Sequence, residues 1–555
     1  MKKKGLFRLA AGISIAALVA VPLMAGCGAP EEAPGVAGPP YDAELVIVVE
    51  SIGTEAALPD RGTALDFAMW ETVHEKLVDQ DPKTGERSIP RLAESWEASA
   101  DARTWTFHLR QGIQWQDGWG EFTAEDVKYS VELGGSEASI ASYATYLSGI
   151  DVVVKDKYTA VCNLPKPDWA LTEVFGGNMP IVSKKYCEEV GLDEANWNPI
   201  GTGPYKLHSR ASGDYIKLEA VPDHPRVTPE FKYVTIRGIP EVSTRMAMLR
   251  TGEADISPFP TDKVPELDGG GIRTIVSPGS NLFWVVFPGS PTLPTHPEFK
   301  PKPWWDDPAN TVAWDNALKV RKAMSLAINR EEINESLLFG MGKLAVSSHL
   351  YSDQTTLGID SSWEVPPYDP EQAKQLLAEA GWPDGFPITV PILKHSGRPE
   401  LPALSEMVAM YWDAIGLDVT RTPMDFTTLR PILIERKLGD MCWVYGMAFS
   451  TVPTGRLSRE ALSSSQNIQT CETAFIDEWG PKSHAEVDAE KRVDITRQIL
   501  QHMRDNVLTI PLVESPAVFG VSDNVGEWSL ILGNRFPTQM VESITLSDSA
   551  KQALK

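Results

Sequence analysis

The sequence predicts a mixed α/β fold, with α+β character and mixed sheets, because strand patterns and helix patterns alternate along the chain. Residues 44–49 (ELVIVV) form a continuous apolar, β-branched run that is typical of a buried strand. Residues 103–115 alternate apolar and polar side chains, as a half-exposed strand does. Residues 368–385 carry apolar side chains at helical spacing. The body from about residue 41 to residue 555 is long enough for about three domains.

The first 26 residues are predicted to be a secretory signal peptide of the lipoprotein type. A basic stretch, MKKKGLFR, precedes an apolar run and two small residues. Cys27 follows directly, as in a bacterial lipobox, although Met24 stands where that pattern prefers Leu. We expect Cys27 to carry the lipid; the alternative is an ordinary secreted protein with an incidental cysteine. Residues 28–40 are rich in Gly, Ala, Pro and Glu and are expected to form a flexible tether.

Helix signals recur through the body of the chain. The stretch FTAEDVKYSVEL contains Thr123 as an N-cap, and Asp126 three places later comes close to a capping box. Asp369 can cap the helix that begins at the next residue. Helices with one apolar stripe are predicted at 316–333, 368–385 and 487–506.

The net charge and the absence of catalytic and cofactor motifs argue against several classes of function. The formal net charge of −24 argues against nucleic acid as a partner, because phosphate binding needs Lys and Arg to replace counterions. The sequence contains no HExxH, GxSxG or GxxxxGKS/T motif, no GxGxxG after a strand, and no close histidine pair at metal spacing. We therefore expect no cofactor, no metal site and no enzymatic activity. An enzyme built from distant carboxylates is the alternative, and it requires measurable turnover.

Four cysteines follow Cys27 in the sequence. Outside the cytoplasm an even number of cysteines is typical of disulfides. Short loops favour pairing Cys162 with Cys187 and Cys442 with Cys471, and the other two connectivities stay open. No CxxC pair is present, so structural zinc is not expected.

The chain is rich in aromatic residues, with 17 Trp, 13 Tyr and 17 Phe, and most of them are expected in the core. Trp443 and Tyr445 lie two residues apart in the stretch DMCWVYGMAF, so on a strand they face the same side. Such a pair lines a pocket wall or packs within a sheet core, and the residues by themselves leave both interpretations open.

Five stretches occur in the order that a known family shows. They are HEKLVDQDPKTGERSIPRLAESWEASADARTWTFHLRQGIQWQDGWGEFTAEDVKYSVE (74–132), NPIGTGPYKL (198–207), MLRTGEADI (248–256), VRKAMSLAINREEI (320–333) and YDPEQAKQLLAEAGWPDGFP (368–387). Together they resemble the family 5 extracellular solute-binding proteins, the dipeptide-, oligopeptide- and nickel-binding receptors of ABC importers. The resemblance extends from about residue 44 to residue 515, where TIPLVE (509–514) matches the family's ending.

The resemblance implies a two-lobed, type II periplasmic-binding-protein fold with an extra domain in the first lobe. It further implies a lipid-anchored monomer on the outer face of the cell membrane. Such a protein captures a peptide or peptide-like solute in the inter-lobe cleft and delivers it to an ABC permease. Carried onto this chain, lobe one is expected at 41–75, 200–283 and 513–555, the extra domain at 76–199, and lobe two at 284–512.

The resemblance also implies where the ligand lies. The loop after the first strand is expected to rim the cleft, and a hinge strand beginning at Asn281 is expected to form its floor. The stretch 443–449 matches the family segment in which a strand pairs with the ligand backbone. Arg398 either meets a ligand carboxylate or is a solvated loop arginine. The expected ligand-binding residues are Glu50, Ser51, Gly53, Asn281, Phe283, Trp284, Arg398, Trp443, Tyr445, Gly446 and Phe449.

One stretch departs from the family's peptide receptors. They usually place an Asp shortly after the Trp-Gly segment, where it holds the ligand's amino group, whereas residues 448–451 (AFST) contain no acid. A buried ammonium without a partner is costly. Either Glu50 or Glu55 supplies the charge, or the ligand is a non-peptide solute such as an oligosaccharide. A sensory lipoprotein that feeds no permease is a further alternative.

Overall fold

The structure of the protein is a computed structural model. It describes residues 39–82, 86–141, 143–177, 179–288, 300–395, 397–435, 437–447, 473–530, 533–534 and 536–554.

Strands and helices alternate along the described chain. The first part contains β1 (Glu44–Val49), α1 (Ala64–Trp70), β2 (Val78–Gln80), β3 (Arg87–Pro90), β4 (Ala93–Ala98), β5 (Thr104–Leu109), α2 (Ala124–Gly134), α3 (Ala144–Leu147), β6 (Asp151–Asp156), β7 (Thr159–Asn163), α4 (Leu171–Gly176), α5 (Lys184–Val190) and α6 (Leu192–Trp197). The next part contains β8 (Tyr205–Ala211), β9 (Tyr215–Ala220), β10 (Tyr233–Gly238), α7 (Val242–Thr251), β11 (Ile256–Phe259), α8 (Val264–Gly269) and β12 (Arg273–Val286). The last part contains α9 (Thr311–Leu326), α10 (Arg330–Ser336), β13 (Lys343–Leu344), α11 (Pro370–Glu379), β14 (Pro387–Lys394), α12 (Leu401–Ala414), β15 (Asp418–Asp425), α13 (Phe426–Ile434), β16 (Trp443–Met447), α14 (Ala474–Ala485), α15 (Ala489–Asp505), β17 (Thr509–Val521) and α16 (Asp548–Ala553). No helix within these described ranges combines the length and the apolar composition that crossing a membrane requires.

Within the described residues, the main sheet has nine strands and is organised around two long ones. Its order is β16-β12-β17-β11-β1-β10-β9-β8, and β13 pairs with β17. β12 and β17 run antiparallel over 14 and 13 residues, with a register shift between Ser277 and Asn281. Before the shift, residues 518–521 of β17 lie between β12 and β11, and after it β12 pairs with both β17 and β16. The two long strands therefore carry the sheet from one core of the protein into another.

The buried apolar side chains form three large cores and one smaller cluster. One core combines β1, β9 and β10 with the C-terminal residues up to Ala550, and the smaller cluster lies beside it around α7 and β11. A second core contains side chains between Leu58 and Ile200. A third contains side chains between Leu282 and Val513. Chain segments far apart in sequence thus build the first core, because the second and third are inserted between them.

Several predicted elements appear where their local patterns placed them. β1 covers the predicted residues 44–49, and the capping box between Thr123 and Asp126 begins α2. The side chain of Asp369 accepts a hydrogen bond from the first turn of α11, as predicted. The helix predicted at 316–333 is instead two helices, because α9 ends at Leu326 and the side chain of Asn329 caps α10.

The predicted pairing of Cys162 with Cys187 is wrong. Both are buried free thiols, Cys162 on β7 and Cys187 on α5, and both belong to the core between Leu58 and Ile200. Burial raises the pKa of each thiol to about 12, so the reactive thiolate is disfavoured. A short loop brings two cysteines near each other without aiming their sulfur atoms at one another. The other predicted pairing involves Cys471, which lies outside the described residues.

Candidate ligand-binding cleft

A cavity with about 620 Å³ of empty space, part of it open to solvent, lies where β1 ends, beside the two long strands. Its lining comes from the residues after β1, from α1, from β11, and from the segment 397–400 between β14 and α12. Asn281 of β12, Arg245 of α7, residues 516–518 of β17, Pro260 after β11 and residues 536–537 complete the described lining. The cavity is therefore bordered by elements of the first and third cores and by the strands that join them.

The loop after β1 contributes two of its three predicted residues to the lining. Glu50 and Ser51 line the cavity, whereas Gly53 does not. Gly53 has a φ of +72°, and a Cβ there would come within 2.5 Å of a carboxylate oxygen of Asp66. The same carboxylate accepts a hydrogen bond from the backbone of Thr54 at 2.7 Å. Gly53 therefore shapes the turn that presents the loop.

Asn281 connects the long strand β12 to the segment before α12. Its side chain is 2% exposed and lines the cavity. The Nδ2 group donates a hydrogen bond to the carbonyl oxygen of Gly397 at 3.3 Å. The Oδ1 atom has no hydrogen-bond partner among the described residues. The Oδ1 atom of Asn281 can thus accept a hydrogen bond from a further donor group.

The predicted aromatic residues lie in the sheet behind the cavity. Phe283, Trp284, Trp443 and Tyr445 are all buried in the third core, and none belongs to the cavity lining. Trp284 and Tyr445 pack edge to face with ring centroids 5.6 Å apart. β16 pairs with β12 in a register that places Trp284 opposite Tyr445. In this structure the pair therefore packs within the sheet core, and neither ring lines the cavity.

Arg398 lies between the cavity and this aromatic layer. Its side chain is 4% exposed, and its guanidinium group stands over the ring of Tyr445 at 5.0 Å from the centroid. Gly397 and Pro399 line the cavity on either side of it, whereas Arg398 itself does not. Burial of this kind does not fit a solvated loop arginine.

Gly446 allows β16 to approach β12 closely. A Cβ at this position would lie 2.5 Å from the ring of Phe283 and 3.2 Å from Cδ of Arg398. Real side chains do not tolerate such distances, and the Phe283 ring is fully buried. Glycine is therefore required here by packing.

We expect Gly446→Ala to lower the free energy of unfolding by about 1–3 kcal/mol, because the added methyl group overpacks the sheet core. Urea unfolding followed by tryptophan fluorescence measures the effect. Gly269→Ala is the control, since a Cβ there meets nothing within 4 Å. Equal stability of both variants would contradict the packing argument.

Sequence reasoning did not find Glu400, although it borders the cavity. Glu400 precedes α12, is 4% exposed and lines the cavity. Burial raises the pKa of Glu400 to about 7, the Asp262 carboxylate adds to the rise, and hydrogen bonding to Ser515 opposes it. Its Oε2 atom has no hydrogen-bond partner within the described part of the chain. The motif GRPELP offered one clue, an acid two residues after the suspected ligand-binding arginine.

Three charged side chains line the cavity, Glu50, Arg245 and Glu400. Arg245 is buried and donates two hydrogen bonds of 2.8 Å to the carbonyl oxygens of Ile239 and Pro240. Burial lowers the pKa of Arg245, and the charge of Glu50 partly counteracts this. Within the described ranges, no group of three or more His, Cys, Asp or Glu side chains is arranged to hold a metal ion.

Glu55, the other acid considered from sequence, is engaged elsewhere. Its Oε1 atom accepts hydrogen bonds from the backbone of Gly213 at 2.8 Å and from the hydroxyl of Ser212 at 3.0 Å. It does not line the cavity. Phe449 and the acid-free residues 448–451 lie outside the described residues, and so does Cys27.

A second contact joins the core of residues 58–200 to the last helices of the third core. Nδ1 of His484 lies 3.6 Å from a carboxylate oxygen of Asp168. The guanidinium group of Arg492 lies 3.2 Å from the centroid of the Trp169 ring. The two bodies therefore touch at a place separate from the cavity.

The chain is similar to a protein family and to several known proteins. The family model described as "Bacterial extracellular solute-binding proteins, family 5 Middle" matches residues 87–467. The dipeptide-binding protein of Escherichia coli K12 is 28% identical over 384 residues, which cover 64% of this chain and 66% of that protein. The glutathione-binding protein GsiB of Salmonella typhimurium is 27% identical over 351 residues, covering 62% and 63%. The chain thus spans slightly under two thirds of the length of these relatives.

Solved structures match over most of the chain. A periplasmic binding protein DppA from Helicobacter pylori, in complex with the peptide STSA, superposes with a TM-score of 0.74 at 22% identity, covering 92% of this chain and 99% of that one. MoaA from A. tumefacien R10, in complex with mannopinic acid, gives 0.74 at 23% identity, covering 91% and 100%. This chain therefore has the mixed α/β fold of type II periplasmic binding proteins, and by its family match it belongs to family 5 of the bacterial extracellular solute-binding proteins.

Proposed function

We propose that this protein is the extracytoplasmic substrate-binding subunit of an ABC importer and captures a peptide or peptide-like solute between two lobes. The observation that carries the proposal is the cavity of about 620 Å³ bordered by the end of β1, by residues 397–400 and by β12 and β17. A solute held there is enclosed when the lobes close, so its binding favours the closed form.

The proposed lobes follow the division of the core. We assign lobe one to 41–75, 200–283 and 513–555, its extra domain to 76–199, and lobe two to 284–512. The separate apolar cores support this assignment, because each proposed body has its own buried cluster. β12 and β17 are the proposed crossings between the lobes.

Peptides are the proposed ligand class because two relatives are named for a dipeptide and for glutathione. Glu50, Ser51 and Asn281 are proposed to touch the solute, since they line the cavity. Arg398 is proposed to meet a ligand carboxylate. The remaining predicted residues of β12 and β16 are proposed to support the cleft from behind, and Phe449 stays a prediction.

Native mass spectrometry of the full-length protein, extracted gently in detergent from its own host, tests the ligand class. We expect co-purified masses that differ by amino-acid residues. Small-angle scattering should then show a more compact particle when such a peptide is added to the stripped protein. Hexose spacings, or a protein that binds no peptide and keeps the same dimensions, would contradict the proposal.

Cys27 is proposed to be the lipid attachment point. The lipobox-like sequence around it supports this proposal. We expect Cys27→Ser to leave the signal peptide uncleaved or to release the protein from the membrane. Membrane fractionation and intact-mass measurement report both effects, and Ser14→Ala in the apolar run is the control. Normal cleavage together with full membrane retention in Cys27→Ser would refute lipid attachment.

Delivery of the solute to an ABC permease completes the proposal, with the protein acting as a monomer and without catalysis. Light scattering on the purified protein is expected to give the mass of one chain. Bound peptide is expected to be recovered unchanged after prolonged incubation. Recovery of cleaved peptide would instead support the alternative of an enzyme built from distant carboxylates.

A further inference from the structure

Two buried acceptor atoms border the cavity and lack a donor among the residues that the structure describes. They are Oδ1 of Asn281 and Oε2 of Glu400. Their side chains are 2% and 4% exposed, so bulk water does not freely reach them. Buried polar atoms are normally hydrogen-bonded, because burying one without a partner costs free energy. A donor that a ligand brings into the cavity would satisfy both atoms.

The amide orientation of Asn281 follows from its contact with Gly397. The carbonyl oxygen of Gly397 accepts a hydrogen bond and cannot donate one, so the amide nitrogen of Asn281 must face it. The amide oxygen then faces the other way as an acceptor. A ligand group that satisfies both Asn281 and Glu400 must donate at least two hydrogen bonds.

The charges around Glu400 favour a cationic donor. Asp262 is a second acid whose charge acts on Glu400, and Ser515 is its neutral hydrogen-bonding neighbour. Glu50 adds another carboxylate to the lining. Two cations also lie nearby: Arg245 lines the cavity and donates to two backbone carbonyls, and Arg398 stands over the Tyr445 ring. The charge that acts on Glu400 is nevertheless acidic, that of Asp262, and the lining beside it offers acceptor atoms.

We propose that Glu400 and Asn281 form the subsite for a protonated amino group of the ligand. The proposal rests on the proposed function and names the chemical group that the cleft selects. An ammonium group has three donors and no acceptor, which matches a carboxylate and an amide oxygen. The hydrogen bond to the carboxylate is charge-assisted and therefore strong. Glu400 then supplies the negative charge for the ligand's amino group, which the sequence led us to expect from Glu50 or Glu55.

A peptide-binding assay on purified full-length protein tests the subsite. The probes are a synthetic pool of dipeptides and tripeptides with free amino termini and the same pool N-acetylated. The proteins are wild type, Glu400→Gln, and the control Glu406→Gln, an exposed acid on the same helix that pairs with Arg421. We expect wild type and control to prefer the free pool by about tenfold or more, and Glu400→Gln to lose that preference.

Each outcome of this assay has a distinct meaning. If wild type binds peptides but acetylation makes no difference, or if Glu400→Gln keeps the preference, the subsite is overturned and the proposed function stands. If wild type binds neither pool, the proposed function itself fails and the subsite fails with it.

Two further measurements separate a binding role from a structural one. The pKa of about 7 for Glu400 means that the carboxylate is increasingly protonated below that pH. Affinity of wild type for the free pool should therefore fall on the order of tenfold from pH 7 to pH 5.5, and it should stay flat in Glu400→Gln. The ligand-free Glu400→Gln protein should unfold at a higher temperature than wild type at pH 8, because a buried charge is removed. Parallel pH profiles, or a lower unfolding temperature, would indicate a structural role and overturn the subsite.

Discussion

Replacing Arg330 with Ala is expected to lower the free energy of unfolding by about 3–5 kcal/mol, because several buried acceptors lose their hydrogen-bond donor at once. Arg330 begins α10 and is 2% exposed. Its guanidinium donates to backbone carbonyl oxygens at 2.7–3.3 Å, those of Pro511, Ser325, Ile328 and Pro366. Without the guanidinium these carbonyl groups stay buried and lose their donor. The loss includes Pro511 on the long strand β17, so we expect the third core to loosen beside the cavity.

Urea unfolding followed by circular dichroism measures this loss. Arg421→Ala is the matched control, because Arg421 is partly exposed and pairs with Glu406 and Asp413 on the surface. Surface ion pairs contribute only about 0–1 kcal/mol, so the control should stay close to wild type. Similar losses in the two variants would show that the buried carbonyl groups find other donors.

Gly201→Ala is expected to cost about 3 kcal/mol or more, because its Cβ would overlap the backbone of Val73. The Cβ would stand 2.5 Å from the carbonyl carbon of Val73 and closer still to its oxygen. Backbone atoms have no rotamer with which to move aside. The chain passes from the first core to the second near Val73 and returns near Gly201, where Gly203 donates a hydrogen bond to the Val73 oxygen at 2.9 Å. The two connections to the proposed extra domain therefore run side by side, and glycine permits it.

The unfolding temperature of Gly201→Ala should fall well below that of wild type. Gly269→Ala serves again as the control and should change stability by less than about 1 kcal/mol, since the added methyl group meets open space. A Gly201→Ala protein as stable as this control would mean that the two connections can separate without cost.

Local sequence alone determined where several elements of this protein begin. β1 follows from a continuous apolar, β-branched run, and α2 and α11 begin at the predicted caps Thr123 and Asp369. A cap hydrogen bond joins residues three positions apart, so it depends only on its own neighbourhood. The family resemblance followed from ordered motifs of the same local kind, and the family match confirms it.

Only the tertiary structure decided which residues meet at the cleft. Asn281 reaches Gly397 across 116 positions of sequence, and Glu400 borders the same cavity while its neighbour Arg398 packs against the aromatic layer. Cys162 is close to Cys187 in sequence, yet both are free thiols in the core. Periodicity records which side of an element is buried. Which buried surfaces meet depends on the packing of the whole chain, and no short stretch of sequence contains that information.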